Sequence, residues 1–163
     1  MAIVNIKAAT AAQNRLGNTP YGNLNALSYK VTTTASGAVA GSDAVQTGTT
    51  AIGDVIRVGV LPAGQRLFDY MATIKTAMTA SVTCSVGFAY CDGVDSTAVP
   101  QDAAYFAAAA TALSSATVQR KSTTTTAVTL PKDAYLTVTI AGAANAKASE
   151  IEFVVYSTTE GAV

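Results

Sequence analysis

Between Gly53 and Gly93 the chain alternates apolar and polar side chains, and this alternation constrains the fold more than any other feature. Successive side chains of a β-strand point to opposite faces, so a period of two predicts strands with one buried and one exposed side. Three consecutive strands are predicted, with inward-facing residues Ile56, Val58 and Val60, then Phe68, Tyr70, Ala72, Ile74 and Met78, then Val82, Cys84, Val86, Phe88 and Tyr90. The stretch Leu61-Pro62-Ala63-Gly64 separates the first two, because Pro presets φ and Gly accepts a positive φ. The pattern is typical of an antiparallel sheet that covers a core on one face only.

The same periodicity recurs on both sides of this region. Leu27, Tyr29 and Val31 predict an earlier strand, and the polar, β-branched residues from 118 to 126 suit an edge strand. A final hairpin is predicted from the inward-facing residues Leu136, Val138 and Ile140, a loop at 142–149, and the returning residues Ile151, Phe153 and Val155. About seven or eight strands at such intervals predict an all-β fold, an antiparallel β-sandwich with a jelly-roll-like layout.

One connection, between Gly93 and Val118, is long enough to carry the chain across the end of the sandwich. Its alanine-rich part, residues 103–113, predicts one short helix of about one to three turns, because alanine has the highest helix propensity. Tyr105 and Phe106 would then hold this helix against the end of the sandwich.

Residues 1–25 differ from the rest of the chain, because they are rich in the turn formers Asn, Gly and Pro. Apolar residues nevertheless recur among them, and those predicted to bind a partner are Ile3, Val4, Ile6, Leu16, Tyr21 and Leu24. The sequence therefore predicts an extended N-terminal arm, residues 1–25, followed by a β-sandwich domain, residues 26–163. The alternatives for the arm are an edge strand packed on its own sheet and a frayed terminus.

The charge content restricts the class of partner. Charged residues make up 12% of the 163 residues, and the formal net charge is +0 at pH 7. Nucleic-acid binding normally needs a basic surface that displaces counterions, so no nucleic-acid partner is predicted. No apolar run approaches the ~20 residues of a transmembrane helix, so no membrane span is predicted. A charge-poor surface favours self-association or cover by other chains, and the alternative is a soluble protein kept wettable by Thr and Ser.

The two cysteines, Cys84 and Cys91, are predicted to be free thiols. On one strand, seven residues at ~3.3 Å each separate them by about 23 Å, whereas a disulfide needs Cα atoms within about 7 Å. Free thiols suit assembly in a reducing cytoplasm.

Enzymatic and metal chemistry find little support in the residue types present. The chain has no histidine, which excludes Ser-His-Asp and Cys-His nucleophilic systems. The two cysteines alone cannot supply the four ligands of a structural zinc site. Asp92, Asp95 and Asp102 either bind Ca²⁺ or cap their own loop, and capping is favoured because their spacing matches no calcium motif. Glu150 and Glu152 share one strand face, where a solubilising role is favoured over a glycosidase-like pair. No catalytic residue, metal site or cofactor is predicted, and the chain is not predicted to be an enzyme.

The outward positions of the central strands carry a mixed set of charges: Arg57, Arg66, Asp69 and Lys75. These residues are predicted to form cross-strand or intersubunit ion pairs. Exposed pairs contribute only ~0–1 kcal/mol, so they would set register and partner contacts more than stability.

Two stretches resemble the small virion proteins of tailed bacteriophages known as capsid decoration, or cement, proteins. They are residues 53–66 (GDVIRVGVLPAGQR) and residues 130–138 (LPKDAYLTV), which the closing strand through Tyr156 follows. The resemblance lies in layout and composition and covers roughly residues 53–158. It implies a β-sandwich on the exterior of the capsid, bound to the major capsid protein and commonly a homotrimer, in a virion assembled in the host cytoplasm.

Two other classes of function remain open. A carbohydrate-binding or adhesin-like module, such as a head fibre that touches host cells, would expose clustered tyrosines such as Tyr90, Tyr105 and Tyr156. A hydrolase that uses carboxylates alone would need a cleft that holds Glu150 or Glu152 beside a partner Asp.

Overall fold

The computed structural model describes residues 2–5, 24–41 and 49–159, and these residues contain strands but no helix. The strands are β1 (Ile3–Asn5), β2 (Leu24–Thr33), β3 (Val55–Leu61), β4 (Gln65–Thr76), β5 (Thr83–Tyr90), β6 (Asp102–Ala112), β7 (Val118–Arg120), β8 (Val128–Thr129), β9 (Ala134–Ala141) and β10 (Ser149–Thr159). The predicted all-β class is confirmed. No helix in this part of the chain is long and apolar enough to cross a membrane.

The strands form two sheets that enclose one hydrophobic core, which confirms the predicted β-sandwich. Sheet one has the order β1-β3-β9-β5-β6, and sheet two has the order β2-β10-β4-β7, with β8 also paired to β4. Strand β1 runs parallel to β3. The pairs β3–β9, β5–β9, β2–β10 and β4–β10 are antiparallel.

The three central strands do not form one sheet, and this part of the sequence-based prediction is wrong. Strands β3 and β5 belong to sheet one, whereas β4 belongs to sheet two. The predicted turn after Leu61 therefore carries the chain from one sheet to the other, and Gly64 adopts a φ of 74° there. Alternation shows which side of a strand is buried, but it does not show which sheet the strand joins. Strands of both sheets bury their apolar side in the same core.

The predicted final hairpin is also wrong, for the same reason. Strand β9 lies in sheet one between β3 and β5, and β10 lies in sheet two between β2 and β4. The connection from Ala141 to Ser149 thus crosses between the sheets. These crossings hold the two sheets together along the chain, as they do in sandwiches generally.

The predicted helix at 103–113 is instead the edge strand β6. Three consecutive residues, Tyr105, Phe106 and Ala107, are buried in the core, and β6 pairs with β5 through two irregularities in register. Helix propensity is a weak preference, and burial of two aromatic rings outweighs the tendency of alanine to form a helix.

A β-bulge in β4 changes the predicted inward face of that strand. Opposite β10, Tyr156 pairs with Asp69 while the next residue, Ser157, pairs with Leu67, so Phe68 is the extra residue. Leu67 takes the buried position and Phe68 is only half-buried. The inward assignment of Phe68 is therefore wrong, although Tyr70, Ala72 and Ile74 face inward as predicted.

Aromatic rings join the two sheets at one end of the core. Phe88 of β5 packs edge-on against Tyr105 with ring centroids 5.5 Å apart, and Phe106 lies 5.3 Å from Tyr70 of β4. The Tyr105 hydroxyl donates to the backbone oxygen of Leu67 at 2.9 Å, which ties sheet one to sheet two. Ring packing and this hydrogen bond therefore join the two sheets at this end of the core.

Candidate docking surfaces

The outward side of sheet one is a surface of small polar and apolar side chains. Cross-strand pairing places Ile3, Val55, Thr139 and Ser85 in one row and Arg57, Thr137 and Gly87 in the next. We call this surface, defined by Ile3, Val55, Arg57, Ser85, Thr137 and Thr139, the Thr-rich face. Its centre consists of β-branched and hydroxyl side chains, which suit the flat surface of a sheet.

The Thr-rich face has raised borders. On one side the Arg57 guanidinium lies over the ring of Tyr135, 4.7 Å from its centroid. On the other side the backbone of Asp102 and Ala103 approaches Gly87 so closely that a Cβ on Gly87 would lie 2.0 Å from the Asp102 oxygen. Thr137 lies between these borders and is only 3% exposed, although its side chain points away from the core. The face is thus a shallow trough.

The buried Thr137 hydroxyl has no hydrogen-bond partner among the described residues. Thr137→Val should raise the free energy of unfolding by about 1 kcal/mol, because an unsatisfied buried hydroxyl costs ~1–3 kcal/mol. Thr50→Val is the matched control, since the buried Thr50 hydroxyl donates to the Gly37 oxygen at 2.6 Å and its removal should destabilise. Urea unfolding of both variants measures the difference. Equal losses of stability in the two variants would contradict the prediction.

The outward side of sheet two has the opposite character, and we call it the charged face. It carries the charged residues Lys30, Arg66, Asp69, Lys75, Arg120, Glu150 and Glu152. Glu150 of β10 pairs with Lys30 at 2.7 Å and with Lys75 at 3.2 Å, and Arg120 pairs with Asp69 at 3.4 Å. Hydrogen bonds from Lys30 and Lys75 hold the pKa of the Glu150 carboxyl below its ordinary value. Such interspersed, exposed charges are typical of a surface that faces water.

The four charged residues predicted to make intersubunit contacts are divided between the two sheets. Arg66, Asp69 and Lys75 lie on β4 within the charged face, whereas Arg57 lies on β3 within the Thr-rich face. The predicted cross-strand ion pairs exist for Asp69 and Lys75, with Arg120 and Glu150 as partners. Their role between subunits stays a prediction.

The described arm residues lie at the edges of the sandwich. Val4 is 1% exposed and packs in the core, whereas Ile3 is 48% exposed on the Thr-rich face and Leu24 is 64% exposed at the start of β2. The Asp54 carboxylate holds β1 in place by accepting from the Ala2 N–H at 2.8 Å. The other predicted arm residues, Ile6, Leu16 and Tyr21, lie outside the described residues. Only the ends of the predicted arm can therefore be placed.

The three aspartates of the long connection hydrogen-bond to their own loop. Asp95 accepts from the Ser96 and Gln101 N–H groups at 2.8 and 2.7 Å, and Asp102 accepts from the Ala104 N–H at 2.8 Å. Asp92 pairs with Lys132 at 2.7 Å, and this hydrogen bond lowers the pKa of the Asp92 carboxyl. These contacts agree with the capping interpretation. Among the described residues no cluster of three or more His, Cys, Asp or Glu could hold a metal ion.

The residues on which the alternative functions depend are placed unfavourably for those functions. Tyr90 and Tyr105 are buried in the core, and only Tyr156 of the three tyrosines reaches the surface. Both carboxylates of the last strand lie on the charged face, where Glu150 binds two lysines and Glu152 accepts from the Ser28 hydroxyl at 2.6 Å. Cys84 and Cys91 are free, as predicted.

Sequence reasoning missed the Thr-rich face, although a signal was present. The outward residues of β5 and β9 were treated as ordinary solvent-facing positions. They are Thr83, Ser85, Gly87 and Ala89 on β5, and Tyr135, Thr137 and Thr139 on β9, and none of these residues is charged. The outward positions of β10 include two glutamates by contrast. These uncharged residues form one continuous surface because β5 and β9 are neighbours in sheet one. The sequence alone does not show that pairing.

The fold is shared with chains from two phage capsid structures. Neither a protein-family model nor a curated protein matches this chain. A chain from the capsid of Ralstonia phage GP4 superposes with a TM-score of 0.65 at 18% identity, over 99% of this chain and 100% of that one. A chain from the capsid asymmetric unit of cyanophage Pam1 superposes with a TM-score of 0.57 at 19% identity, over 91% and 95% of the two chains. At these identities the likeness establishes a common fold.

Proposed function

We propose that this chain is a structural protein of a bacteriophage virion that binds the outer surface of the capsid and stabilises the shell. Its partner is the major capsid protein, and it acts as a homotrimer assembled in the host cytoplasm. The observation that carries the proposal is the superposition with the chain from the Ralstonia phage GP4 capsid, which spans 99% of this chain and 100% of that chain. This shared fold over nearly the full extent of both chains supports a structural role in a capsid.

The proposed mechanism is binding that is selective for the assembled shell. A ligand that binds only the assembled state stabilises that state by RT ln(1 + [L]/Kd) per site. A trimer that binds three neighbouring capsid subunits converts the second and third contacts into intramolecular events, which raises avidity without additional contacts. Both effects need an exposed docking surface on a well-packed domain. The aromatic rings packed between the two sheets and the Tyr105 hydrogen bond support such a domain.

Cosedimentation with capsids tests the proposal. Expanded, empty heads of the phage that encodes this chain are prepared without it, mixed with increasing amounts of the purified protein, and pelleted. Saturable pelleting at a fixed ratio to the major capsid protein is the expected result, together with heads that withstand a higher temperature. Heads of an unrelated phage serve as the control. Protein that stays in the supernatant at all concentrations would overturn the proposal.

The proposed arm needs a variant that spares the fold. Because Val4 is buried in the core, removal of residues 1–24 would damage the sandwich as well as the arm. Replacing residues 7–22 by a Gly/Ser segment of equal length should abolish head binding while the melting temperature stays unchanged. The same replacement with unchanged binding would show that the arm has no docking role.

A further inference from the structure

We infer that the Thr-rich face is the surface that lies against the capsid, and that the charged face points to solvent; this inference rests on the proposed function. The basis is the segregation of charge between the two sheets. Among the six defining residues of the Thr-rich face, the single charged group is the Arg57 guanidinium, stacked on Tyr135. The charged face carries charged side chains on β2, β4, β7 and β10.

The cost of desolvation distinguishes the two faces as docking surfaces. Burying the charged face would remove the Lys30–Glu150–Lys75 network from water, and buried ion pairs regain their desolvation cost only with excellent geometry. Covering the Thr-rich face instead removes from water the exposed side chain of Ile3 and the half-buried side chains of Val55, Arg57 and Thr139, whereas Ser85 and Thr137 are already buried. The Thr137 hydroxyl already lies at the floor of this trough without a partner in the described chain, so docking does not break a bond there.

Symmetry argues for a capsid subunit as the occupant rather than a second copy of this chain. Two copies joined through the same face would form a closed two-fold dimer, whereas a cyclic trimer uses two different patches at each contact. Packing the Thr-rich face of one copy on the charged face of another would bury several charged side chains beneath a surface whose single charged group is Arg57. The partner chemistry that fits is a flat, weakly charged capsid surface with a hydrogen-bond acceptor near Arg57.

The size of the face explains why several copies must act together. With strands ~4.8 Å apart and ~3.4 Å per residue, about seven residues each of β3, β9 and β5 and the three residues of β1 cover roughly 400 Å². A standard stable interface buries ~800 Å² on each partner, so one face alone forms a weak contact. A trimer compensates through avidity, provided that all three faces point to the shell.

Two threonine variants with the same chemistry test the orientation. Thr139 of β9 lies at the centre of the Thr-rich face, and Thr73 of β4 lies on the charged face beside Glu152; both are half-buried in mid-strand. Thr139→Lys should weaken binding to empty heads roughly 100-fold, because it leaves an unpaired charge in the interface. Thr73→Lys should leave binding unchanged. Thr139→Val keeps the shape without a charge and should bind like the wild type.

A second pair covers the case in which Thr139→Lys does not fold. Ile3 and Val118 are exposed apolar residues on β1 and β7, at the edges of sheet one and sheet two, and substitutions at exposed positions are tolerated. Ile3→Lys should weaken binding, and Val118→Lys should not. Equal binding by both members of a pair, or loss only in Thr73→Lys or Val118→Lys, would overturn the orientation while leaving the proposed function intact. A Thr139→Lys protein that loses its oligomeric state in sedimentation but binds heads normally would identify the face as a contact between copies. Wild-type protein that fails to bind would remove the proposed function and this inference together.

Discussion

Asn145→Ala is expected to lower the free energy of unfolding by about 4 kcal/mol, because each of the four hydrogen bonds of this side chain contributes ~1 kcal/mol. Asn145 is fully buried in the connection between β9 and β10. Its amide nitrogen donates to the Thr33 hydroxyl at 3.1 Å and to the Lys147 oxygen at 2.9 Å, and its side-chain oxygen accepts from the Thr79 N–H at 3.1 Å and the Thr79 hydroxyl at 3.2 Å. One side chain therefore ties the connection that precedes β10 to the end of β2 and to the turn after β4.

Urea unfolding and thermal melting measure this effect. A loss of about 4 kcal/mol corresponds to a fall in melting temperature of roughly 10 °C for a domain of this size. Asn145→Asp puts a carboxylate oxygen against the Lys147 oxygen in a fully buried site, so it should destabilise at least as much as Asn145→Ala. Ala144→Asn changes an exposed neighbour in the same connection and should be close to neutral. A loss below about 1 kcal/mol in Asn145→Ala would show that the connection is not held by this residue.

Gly87→Ala is expected to destabilise the fold by about 3 kcal/mol, because the added methyl group has no room between two backbones. A Cβ at this position would lie 2.0 Å from the Asp102 oxygen and 2.5 Å from the carbonyl carbon of Ala103. Both atoms belong to the backbone of β6, so no side-chain rotation relieves the contact. The substitution should push β6 away from β5 and open the border of the Thr-rich face.

Hydrogen exchange locates this damage. In Gly87→Ala the amides of residues 102–107 should exchange much faster than in the wild type, while those of β10 in the other sheet keep their protection. Ser85→Ala removes a side-chain oxygen two residues earlier on the same strand face and should leave both regions unchanged. Faster exchange throughout the protein would mean that β6 is not separately sensitive to this contact.

The sequence predicted the buried side of most strands correctly and the strand partners poorly. The alternation of Leu136, Val138 and Ile140 identifies core residues whichever sheet they join, and all three are buried. The partner of a strand depends on where the chain crosses between sheets, and a turn such as Leu61–Gly64 has the same composition in a hairpin and in a crossing. Alternation and turn composition therefore predict one sheet for β3, β4 and β5 and one hairpin for β9 and β10, whereas the chain crosses between the sheets at both places.

Other features depend on tertiary contacts that leave little trace in a single sequence. The alanines of β6 favour a helix locally, and only the burial of Tyr105 and Phe106 against β5 and β4 decides for a strand. In the sequence, Asn145 resembles any polar loop residue between two alanines, because its four hydrogen bonds to Thr33, Thr79 and Lys147 depend on the tertiary fold. The sequence predicts Ile3 as a partner-binding residue of the arm and Arg57 as an outward-facing residue of a central strand, but nothing in the sequence places the two on the same sheet.

The most direct test of the account is a cryo-EM map of empty heads incubated with the purified protein. The account predicts density for a two-layer β-sandwich on the outer surface of the shell, with β3, β9 and β5 facing the capsid subunits and Glu150 and Glu152 facing solvent. A sandwich bound with the opposite sheet inward would contradict the orientation alone. Bare outer surfaces, or density only inside the head, would contradict the central claim that this protein docks on the exterior of a capsid.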